Sequence, residues 1–217
     1  MRCWHWIFPK TLAKFHTPTN HDIAVIEKNG KLSLLVNGIE QTGTYVDVLF
    51  RRSLNILLSW HPSPVLHILV IGVGGGSVIR QLHKAYPLAH IIAVDIDKTI
   101  IDIAKTYFQI PSEDYCKFIV SDARTYIAGA NNGKFDLIII DIYIGNDVPQ
   151  FVSEKAFLRN VSLKLKPKGR FLMNYFSFEG QPKKAEQLRI LLTHIYKHVE
   201  VRNILRNKVF FATSMVK

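Results

Sequence analysis

Short apolar runs alternate with stretches of helical spacing along most of the chain. The runs lie at residues 65–71, 90–95, 117–120, 135–141 and 171–176. An apolar run without polar alternation is typical of a strand that is buried on both faces, as the strands of a parallel sheet are. Strands that alternate with helices predict a doubly wound α/β fold in which helices cover both faces of the sheet.

The two ends of the chain follow a different pattern. Asn29-Gly30 and Asn37-Gly38 separate short extended runs, which predicts a small antiparallel β-meander. Helices are predicted over residues 45–60 and 181–198, a turn at 166–169, and an antiparallel sheet edge over 199–213. The expected organisation is an N-terminal arm (1–20), the β-meander (21–44) and a Rossmann-like domain (45–217) with a mostly parallel seven-stranded sheet.

The first apolar run breaks into four glycines, Gly72, Gly74, Gly75 and Gly76, which precede a predicted helix. Glycine has no Cβ, so the backbone of such a loop approaches a ligand closely while the first N–H groups of the helix point at it. An acidic residue that binds a ribose hydroxyl is expected about 20 residues further on, at the end of the next strand. Asp95 stands there, which favours a nucleoside site over a turn that only allows close packing of strand and helix.

The spacing of the glycines distinguishes between nucleotides. The dinucleotide fingerprint Gly-x-Gly-x-x-Gly requires a glycine where this chain has Ser77. The loop Gly72-x-Gly74-x-Gly76 instead resembles the first motif of the class I S-adenosylmethionine-dependent transferases. This resemblance implies a sheet of the class I methyltransferase type and a nucleoside donor that has no pyrophosphate.

Three carboxylates fall at or just after the ends of predicted strands: Asp95, Asp122 and Asp141. The carboxyl ends of parallel strands meet at one edge of a sheet, so these side chains are expected to surround one crevice. A sulfonium nucleoside is cationic, and we expect Asp95 at its ribose, Asp122 at its adenine amino group and Asp141 beside the transferred group. The structural alternatives are a helix N-cap for Asp122 and a turn residue for Asp141, which stands near the aromatic Tyr143.

Several of these segments resemble the spermidine synthases, the polyamine aminopropyltransferases. The likeness covers most of residues 22–177 and includes residues 36–41, 66–107, 121–124 and 135–141. It implies decarboxylated S-adenosylmethionine as donor, an amine acceptor, and Asp141 as the base or electrostatic partner of the attacking amine. The implied donor-binding residues are Gly72, Gly74, Gly75, Gly76, Asp95, Asp122 and Ala123, and the implied catalytic residues are Asp141 and Tyr143.

The chain departs from the family's pattern at two places. The family's loop reads Gly-Gly-Gly-Asp-Gly-Gly, and its aspartate, which helps to hold the aminopropyl group, aligns with Gly75. Its Asp-Ser-Ser-Asp-Pro motif aligns with residues 141–145, where only the first aspartate, Asp141, remains. These losses slightly favour methyl transfer from S-adenosylmethionine, as in the spermidine synthase-like methyltransferase branch that residues 141–149 resemble. They also leave open a non-catalytic binding module of the same fold.

Composition places the chain among globular proteins, because 48% of its 217 residues are hydrophobic. No apolar run is long enough for a membrane helix, so no membrane partner is expected. Cys3 and Cys116 are too few for a disulfide framework, which favours a reducing, cytoplasmic compartment. Residues 1–10 mix tryptophan with basic residues and are interpreted as an arm that packs on the body or on the second subunit of a homodimer.

A formal net charge of +11 raises the question of a nucleic-acid partner, because phosphate backbones attract clustered lysine and arginine. The charges are spread along the chain, and the densest stretch, residues 164–170, fits a helix end and turn. A solvated basic face is therefore favoured over a polyanionic partner. His194 and His198 have helical spacing, but no third ligand is evident, and no metal site is predicted.

Overall fold

The computed structural model describes residues 9–57, 65–110, 114–130, 133–144, 148–176 and 182–214. The strands are β1 (Lys10–Phe15), β2 (Ile23–Lys28), β3 (Lys31–Val36), β4 (Ile39–Thr42), β5 (His67–Ile71), β6 (His90–Asp95), β7 (Cys116–Val120), β8 (Phe135–Ile140), β9 (Leu165–Phe176), β10 (His198–Ile204) and β11 (Asn207–Thr213). The helices are α1 (Thr44–Leu57), α2 (Ser77–Ala85), α3 (Lys98–Tyr107), α4 (Ala123–Ala128), α5 (Lys155–Leu163) and α6 (Pro182–Thr193).

The described strands form two sheets. A four-stranded antiparallel sheet has the order β1-β2-β3-β4, and a seven-stranded sheet has the order β10-β11-β9-β8-β5-β6-β7. Strands β5 to β9 run parallel, while β11 is antiparallel to both of its neighbours. This architecture confirms the predicted α/β fold. After β7 the chain crosses to the other side of β5 to form β8, so a crevice is expected between the carboxyl ends of β5 and β8.

The central strands are buried on both faces, as their unbroken apolar sequences predict. Four of the five residues of β5 are buried, and so are five of the six residues of β8. One apolar cluster joins a face of the large sheet to α1, α2, α3 and the small sheet, and a second cluster joins the other face to α4, α5 and α6. Among the described residues, no helix has both the length and the apolar character needed to cross a membrane.

The small sheet begins within the segment predicted as an N-terminal arm. β1 pairs antiparallel with β2, so residues 10–15 add a strand to the β-meander predicted over residues 21–44. Residues 1–8 lie outside the described part of the chain. The hairpin turn between β2 and β3 was predicted and is confirmed: Asn29 and Gly30 have φ angles of 54° and 70°, and tight hairpin turns require positive φ at such positions.

One predicted helix boundary was wrong. The helix predicted over residues 181–198 ends at Thr193, and His198 already begins β10. The turn predicted at residues 166–169 forms a bulge within the span of β9: the pairing with β8 passes from Leu165 to Arg170 with a register shift, and Lys168 has a φ of 63°. The helix predicted over residues 45–60 is observed to Leu57, and residues 58–64 lie outside the described part of the chain.

Candidate active site

The crevice between the ends of β5 and β8 opens into a cavity of about 380 Å³. Residues that follow or end four neighbouring strands line it: Gly72 and Gly74 after β5, Asp95 on β6, Asp122 after β7 and Asp141 after β8. The three predicted carboxylates therefore share one cavity at the sheet edge where α/β proteins bind ligands. Arg124 also lines the cavity and pairs with Asp122, so Asp95 and Asp141 are the carboxylates whose charge attracts a cationic ligand.

Gly72 brings the ends of β5 and β8 close together. Its φ of +94° lies in the region that favours glycine, and a Cβ at this position would lie 1.9 Å from the carbonyl oxygen of Asp141. The Gly72 N–H donates to the Val94 carbonyl at 2.9 Å. The Asp141 N–H donates to the Ile71 carbonyl at 2.8 Å. These bonds fix the glycine loop between both neighbouring strands.

The other two predicted glycines contact residues outside this cavity lining. The Gly75 N–H donates to the Thr42 hydroxyl at 2.7 Å, and a Cβ on Gly75 would lie 2.7 Å from three atoms of Thr42. Gly76 has a φ of +76°, and a Cβ there would lie 2.9 Å from Ile110. Both glycines thus shape the loop, while their contact with a donor stays a prediction.

Both oxygens of the Asp95 carboxylate are held by backbone N–H groups. Oδ2 accepts from Val73 at 2.8 Å, and Oδ1 accepts from Asp97 at 3.0 Å. Burial raises the pKa of Asp95, and these two hydrogen bonds oppose the increase. A carboxylate oxygen has further lone-pair capacity, so each can still accept a hydroxyl proton from a ligand in the cavity.

Asp122 is both a helix cap and a cavity residue. Its Oδ1 accepts from the Arg124 N–H at 2.7 Å at the start of α4, and its Oδ2 pairs with the Arg124 guanidinium at 2.8 Å. The Arg124 guanidinium holds the pKa of Asp122 below its usual range. The structure confirms the N-cap alternative, and since Asp122 and Ala123 also line the cavity, the cap does not exclude a ligand contact.

Asp141 and Tyr143 lie where the first cavity adjoins a second one of about 270 Å³. These two residues and Gln41 line both cavities. The Asp141 carboxylate lies deep among protein atoms, and this burial raises its pKa to about 6, against a 2.9 Å hydrogen bond from Asn174 Nδ2 and with a smaller contribution from the charge of Asp95. At pH 7 the carboxylate is mostly ionised, yet it is a stronger base than an exposed aspartate.

The segment before β2 closes one side of the larger cavity. Thr19 and Asn20 line the cavity, and Asp97 anchors their segment. The Asp97 carboxylate accepts from the Thr17 hydroxyl at 2.5 Å and from Asn20 Nδ2 at 2.8 Å. Asp97 is only 5% exposed, so these bonds are protected from water. They join residues as far as 80 positions apart, and the sequence did not predict them.

Three polar residues near Asp141 were also missed from the sequence: Tyr45, Asn174 and Asn207. The signal for Asn174 is one polar residue within the apolar run at 171–176. The local pattern predicts a turn residue between two strands at Asn207 and a helical residue at Tyr45. The local patterns therefore give no sign that the three are neighbours.

His194 and His198 do not share a helix. α6 ends at Thr193, the His194 ring lies with Nδ1 at 2.8 Å from the Ile190 carbonyl, and His198 belongs to β10. Within the described ranges, no group of three or more His, Cys, Asp or Glu side chains is arranged to hold a metal ion.

Known proteins resemble this chain in sequence. The family model of the spermine/spermidine synthase domain matches residues 55–205. A polyamine aminopropyltransferase of Vibrio vulnificus (strain CMCP6) is 35% identical over 122 residues, covering 55% of this chain and 40% of that protein. The eEF1A lysine and N-terminal methyltransferase of Homo sapiens is 32% identical over 121 residues, covering 50% of this chain and 17% of that protein. This chain thus spans less than half the length of either relative.

A solved structure resembles the chain more completely. A probable spermidine synthase from Corynebacterium glutamicum ATCC 13032 superposes with a TM-score of 0.81, covering 94% of this chain and 80% of that one. The sequences are 17% identical in this comparison, so the likeness concerns the fold. It confirms the predicted combination of a mostly parallel seven-stranded sheet and a small antiparallel N-terminal sheet.

Proposed function

The chain belongs to the spermine/spermidine synthase domain family, and from this premise we propose that it is a transferase that moves a carbon group from a sulfonium adenosine donor to an amine. The observation that carries the proposal is the meeting of two cavities at one carboxylate, Asp141. The larger cavity offers a glycine loop and three carboxylates to the donor. The smaller cavity gives an acceptor access to the same carboxylate.

In the larger cavity, the proposed donor lies over the turn at residues 72–76. Asp95 accepts the ribose hydroxyls, and Asp122 accepts from the adenine amino group beside Ala123. The sulfonium then faces Asp141 and Tyr143 at the junction of the cavities. Coulomb attraction to the carboxylates favours the cationic donor over its neutral thioether product, so the transfer itself weakens binding of the product.

Asp141 is proposed to hold the acceptor amine and to take its proton. An amine attacks carbon only through a free lone pair, so an ammonium group must first lose a proton. The lone pair then forms the N–C bond while the C–S bond breaks, and the electrons of that bond return to sulfur. The product amine carries the positive charge that sulfur has lost. A pKa of about 6 keeps Asp141 ionised near neutral pH while making it a competent base.

The space at Gly75 favours methyl transfer from S-adenosylmethionine. Thr42 fills the position that a side chain on Gly75 would need, so an aspartate that holds an aminopropyl group does not fit there without displacing Thr42. Asp95, Asp122 and Asp141 already have roles in the proposed complex. The human relative is named as a lysine and N-terminal methyltransferase, and amino groups of this kind suit the smaller cavity as acceptors.

Aminopropyl transfer from decarboxylated S-adenosylmethionine to a polyamine is the second candidate. The family model and the Vibrio relative, a polyamine aminopropyltransferase by name, support it. Glu40 also lines the smaller cavity and offers a second carboxylate to the far ammonium of a diamine. Burial raises the pKa of Glu40, and a side-chain hydrogen bond with Ser33 opposes this increase.

Mass spectrometry of the products distinguishes the two donors. The purified chain is incubated with S-adenosylmethionine or its decarboxylated form, each with putrescine, spermidine or a lysine-containing peptide. We expect the first donor to add one methyl group to an amine and the second to give no product. An aminopropyl product alone would establish the second candidate. Absence of any product, together with no calorimetric binding of methylthioadenosine, would reject both.

Asp95→Asn is expected to weaken binding of methylthioadenosine by about 10- to 100-fold. An amide at this position turns an NH₂ group toward the N–H of Val73 or Asp97, which now bonds to the carboxylate, and it loses an acceptor for the ribose. Calorimetry measures the dissociation constant. Asp102→Asn, which changes an exposed carboxylate paired with Lys98 on α3, is the matched control. Unchanged affinity in Asp95→Asn would show that the ribose binds elsewhere.

A further inference from the structure

We propose that a chain of three positioning residues orients the Asp141 carboxylate and keeps it in its proton-accepting form. The residues are Tyr45 of α1, Asn207 of β11 and Asn174 of β9, and their side chains form one continuous run of hydrogen bonds that ends on Asp141. The inference rests on the proposed function, in which Asp141 takes the proton of the acceptor amine. Three separate elements of the fold are thus linked in series to one oxygen atom of Asp141.

The distances define each step of this chain. The Arg206 N–H donates to the Tyr45 hydroxyl oxygen at 3.1 Å, and the hydroxyl donates to Asn207 Oδ1 at 2.5 Å. Asn207 Nδ2 donates to Asn174 Oδ1 at 2.8 Å. Asn174 Nδ2 donates to Asp141 Oδ1 at 2.9 Å. The last bond is charge-assisted, so it is the strongest when Asp141 is ionised.

Strand pairing holds the two amides together in the protein interior. Asn174 pairs with Val209, two residues beyond Asn207, so both amides project from the same face of the β9–β11 ladder. They are 5% and 4% exposed. A buried amide is costly unless it is hydrogen-bonded. Each amide therefore needs the other, and the pair keeps a fixed place beside the carboxylate.

The groups at the two ends of this run of hydrogen bonds determine the direction of every bond. At one end, the Tyr45 oxygen accepts from the Arg206 N–H and the hydroxyl donates its proton to Asn207 Oδ1. At the other end, an ionised carboxylate can only accept, so Asp141 takes a proton from an amide NH₂ group. Asn207 accepts through its carbonyl, so its NH₂ group faces the carbonyl of Asn174. The NH₂ group of Asn174 is then left for Asp141. All donors point toward the carboxylate, and a donor on a carboxyl oxygen favours its ionised form.

This direction opposes the effect of burial. Burial raises the pKa of Asp141, while the bond from Asn174 lowers it. Weakening of the chain therefore lets the pKa rise further. Tyr45, Asn174 and Asn207 also line the smaller cavity, so direct contact with the acceptor is the competing explanation that an experiment must exclude.

Tyr45→Phe removes only the hydroxyl at the end of the hydrogen-bond run that lies farthest from Asp141. We expect the midpoint of the acidic limb of the kcat profile to rise by about one pH unit. A shift of this size lowers kcat about fivefold at pH 6 and by less than about 1.2-fold at pH 8. The KM of the acceptor should stay within about twofold, since a positioning residue does not bind it. An equal loss at every pH, or a loss confined to KM, would overturn the proposal.

Carbon-13 NMR of the aspartate carboxyl groups tests the chain without turnover. The Asp141 signal is the one that is lost in Asp141→Asn. Its titration midpoint is expected to rise by about one unit in Tyr45→Phe and by more in Asn174→Asp, where two carboxylates share a proton. Unchanged midpoints would overturn the proposal even if no donor reacts. Raised midpoints without any turnover would support the chain and count against the proposed function alone.

Asn203→Ala is the matched control on the same hairpin. The Asn203 side chain is exposed and accepts from Lys208 Nζ at 3.3 Å, away from the chain. We expect it to leave the Asp141 midpoint unchanged, and thermal unfolding should show that all variants fold. The Asp141 midpoint could instead shift as much in Asn203→Ala as in Tyr45→Phe. This result would mean that any change in the hairpin affects Asp141, and it would overturn the proposal.

Discussion

Replacement of Asp141 by asparagine is expected to lower turnover by about three orders of magnitude while the nucleoside still binds. The amide has the shape of the carboxylate and can still accept the hydrogen bond from Asn174 Nδ2, so the cavity should keep its form. The amide cannot take a proton from the acceptor amine, and it offers no negative charge to the sulfonium. The Asp141→Asn variant therefore removes the base and leaves the binding site in place.

Binding of a neutral and a cationic nucleoside distinguishes loss of the Asp141 charge from loss of the binding site. Methylthioadenosine is neutral at sulfur, so its affinity for Asp141→Asn should lie within about threefold of wild type, whereas the cationic S-adenosylmethionine should lose more. Single-turnover kinetics gives the rate, and Asp102→Asn is the control for an exposed charge. Turnover within about tenfold of wild type would mean that another group is the base. A wild-type chain that binds the donor but never reacts would favour the non-catalytic binding module.

The central sheet could be predicted from the sequence because its signals are local. The apolar runs at 65–71 and 135–141 lead into β5 and β8, which are buried on both faces, and Asn29-Gly30 forms the hairpin that its φ angles permit. The positions of Asp95 and Asp141 follow from the same order of elements, since Asp95 ends β6 and Asp141 directly follows β8 in the same sheet. No knowledge of distant contacts is needed for these inferences.

The features that the sequence patterns missed depend on tertiary contacts. β1 is mostly exposed and has no strong strand pattern, yet it becomes a strand because β2 pairs with it. Residues 166–169 have the composition of a turn and bulge out of the β9 ladder, and Ser214, which is distant in sequence, bonds to the Lys166 and Gly169 carbonyls there. Local propensity is weak against contacts of this kind.

The partners of the candidate site residues were beyond prediction for a related reason. Asp141 and Asn174 are 33 positions apart, and Tyr45 and Asn207 are 162 positions apart. Thr42 reaches Gly75 from the small sheet. Each residue has an ordinary local explanation, as a strand, turn or helix residue, and only the folded chain reveals that together they hold the loop and the carboxylate.

Gly72→Ala is expected to lower the free energy of unfolding by about 4 kcal/mol. The left-handed φ of +94° is strained for alanine, which costs about 1–2 kcal/mol by itself. The added methyl group would also lie 1.9 Å from the Asp141 carbonyl oxygen. That oxygen belongs to the backbone, and the Asp141 N–H is tied to Ile71, so it cannot rotate away as a side chain would. Urea denaturation measures the loss.

Gly30→Ala separates the two contributions. Gly30 has a φ of +70° in the turn between β2 and β3, and a Cβ there meets no atom within 4 Å. Its substitution should cost only the backbone strain, about 1–2 kcal/mol, so the remaining loss in Gly72→Ala measures the clash with β8. Relief of that clash must move the residue that carries the proposed base, and any folded Gly72→Ala protein should also lose turnover. Equal losses of stability in the two variants would mean that the end of β8 yields freely and that Gly72 does not set the spacing between loop and base.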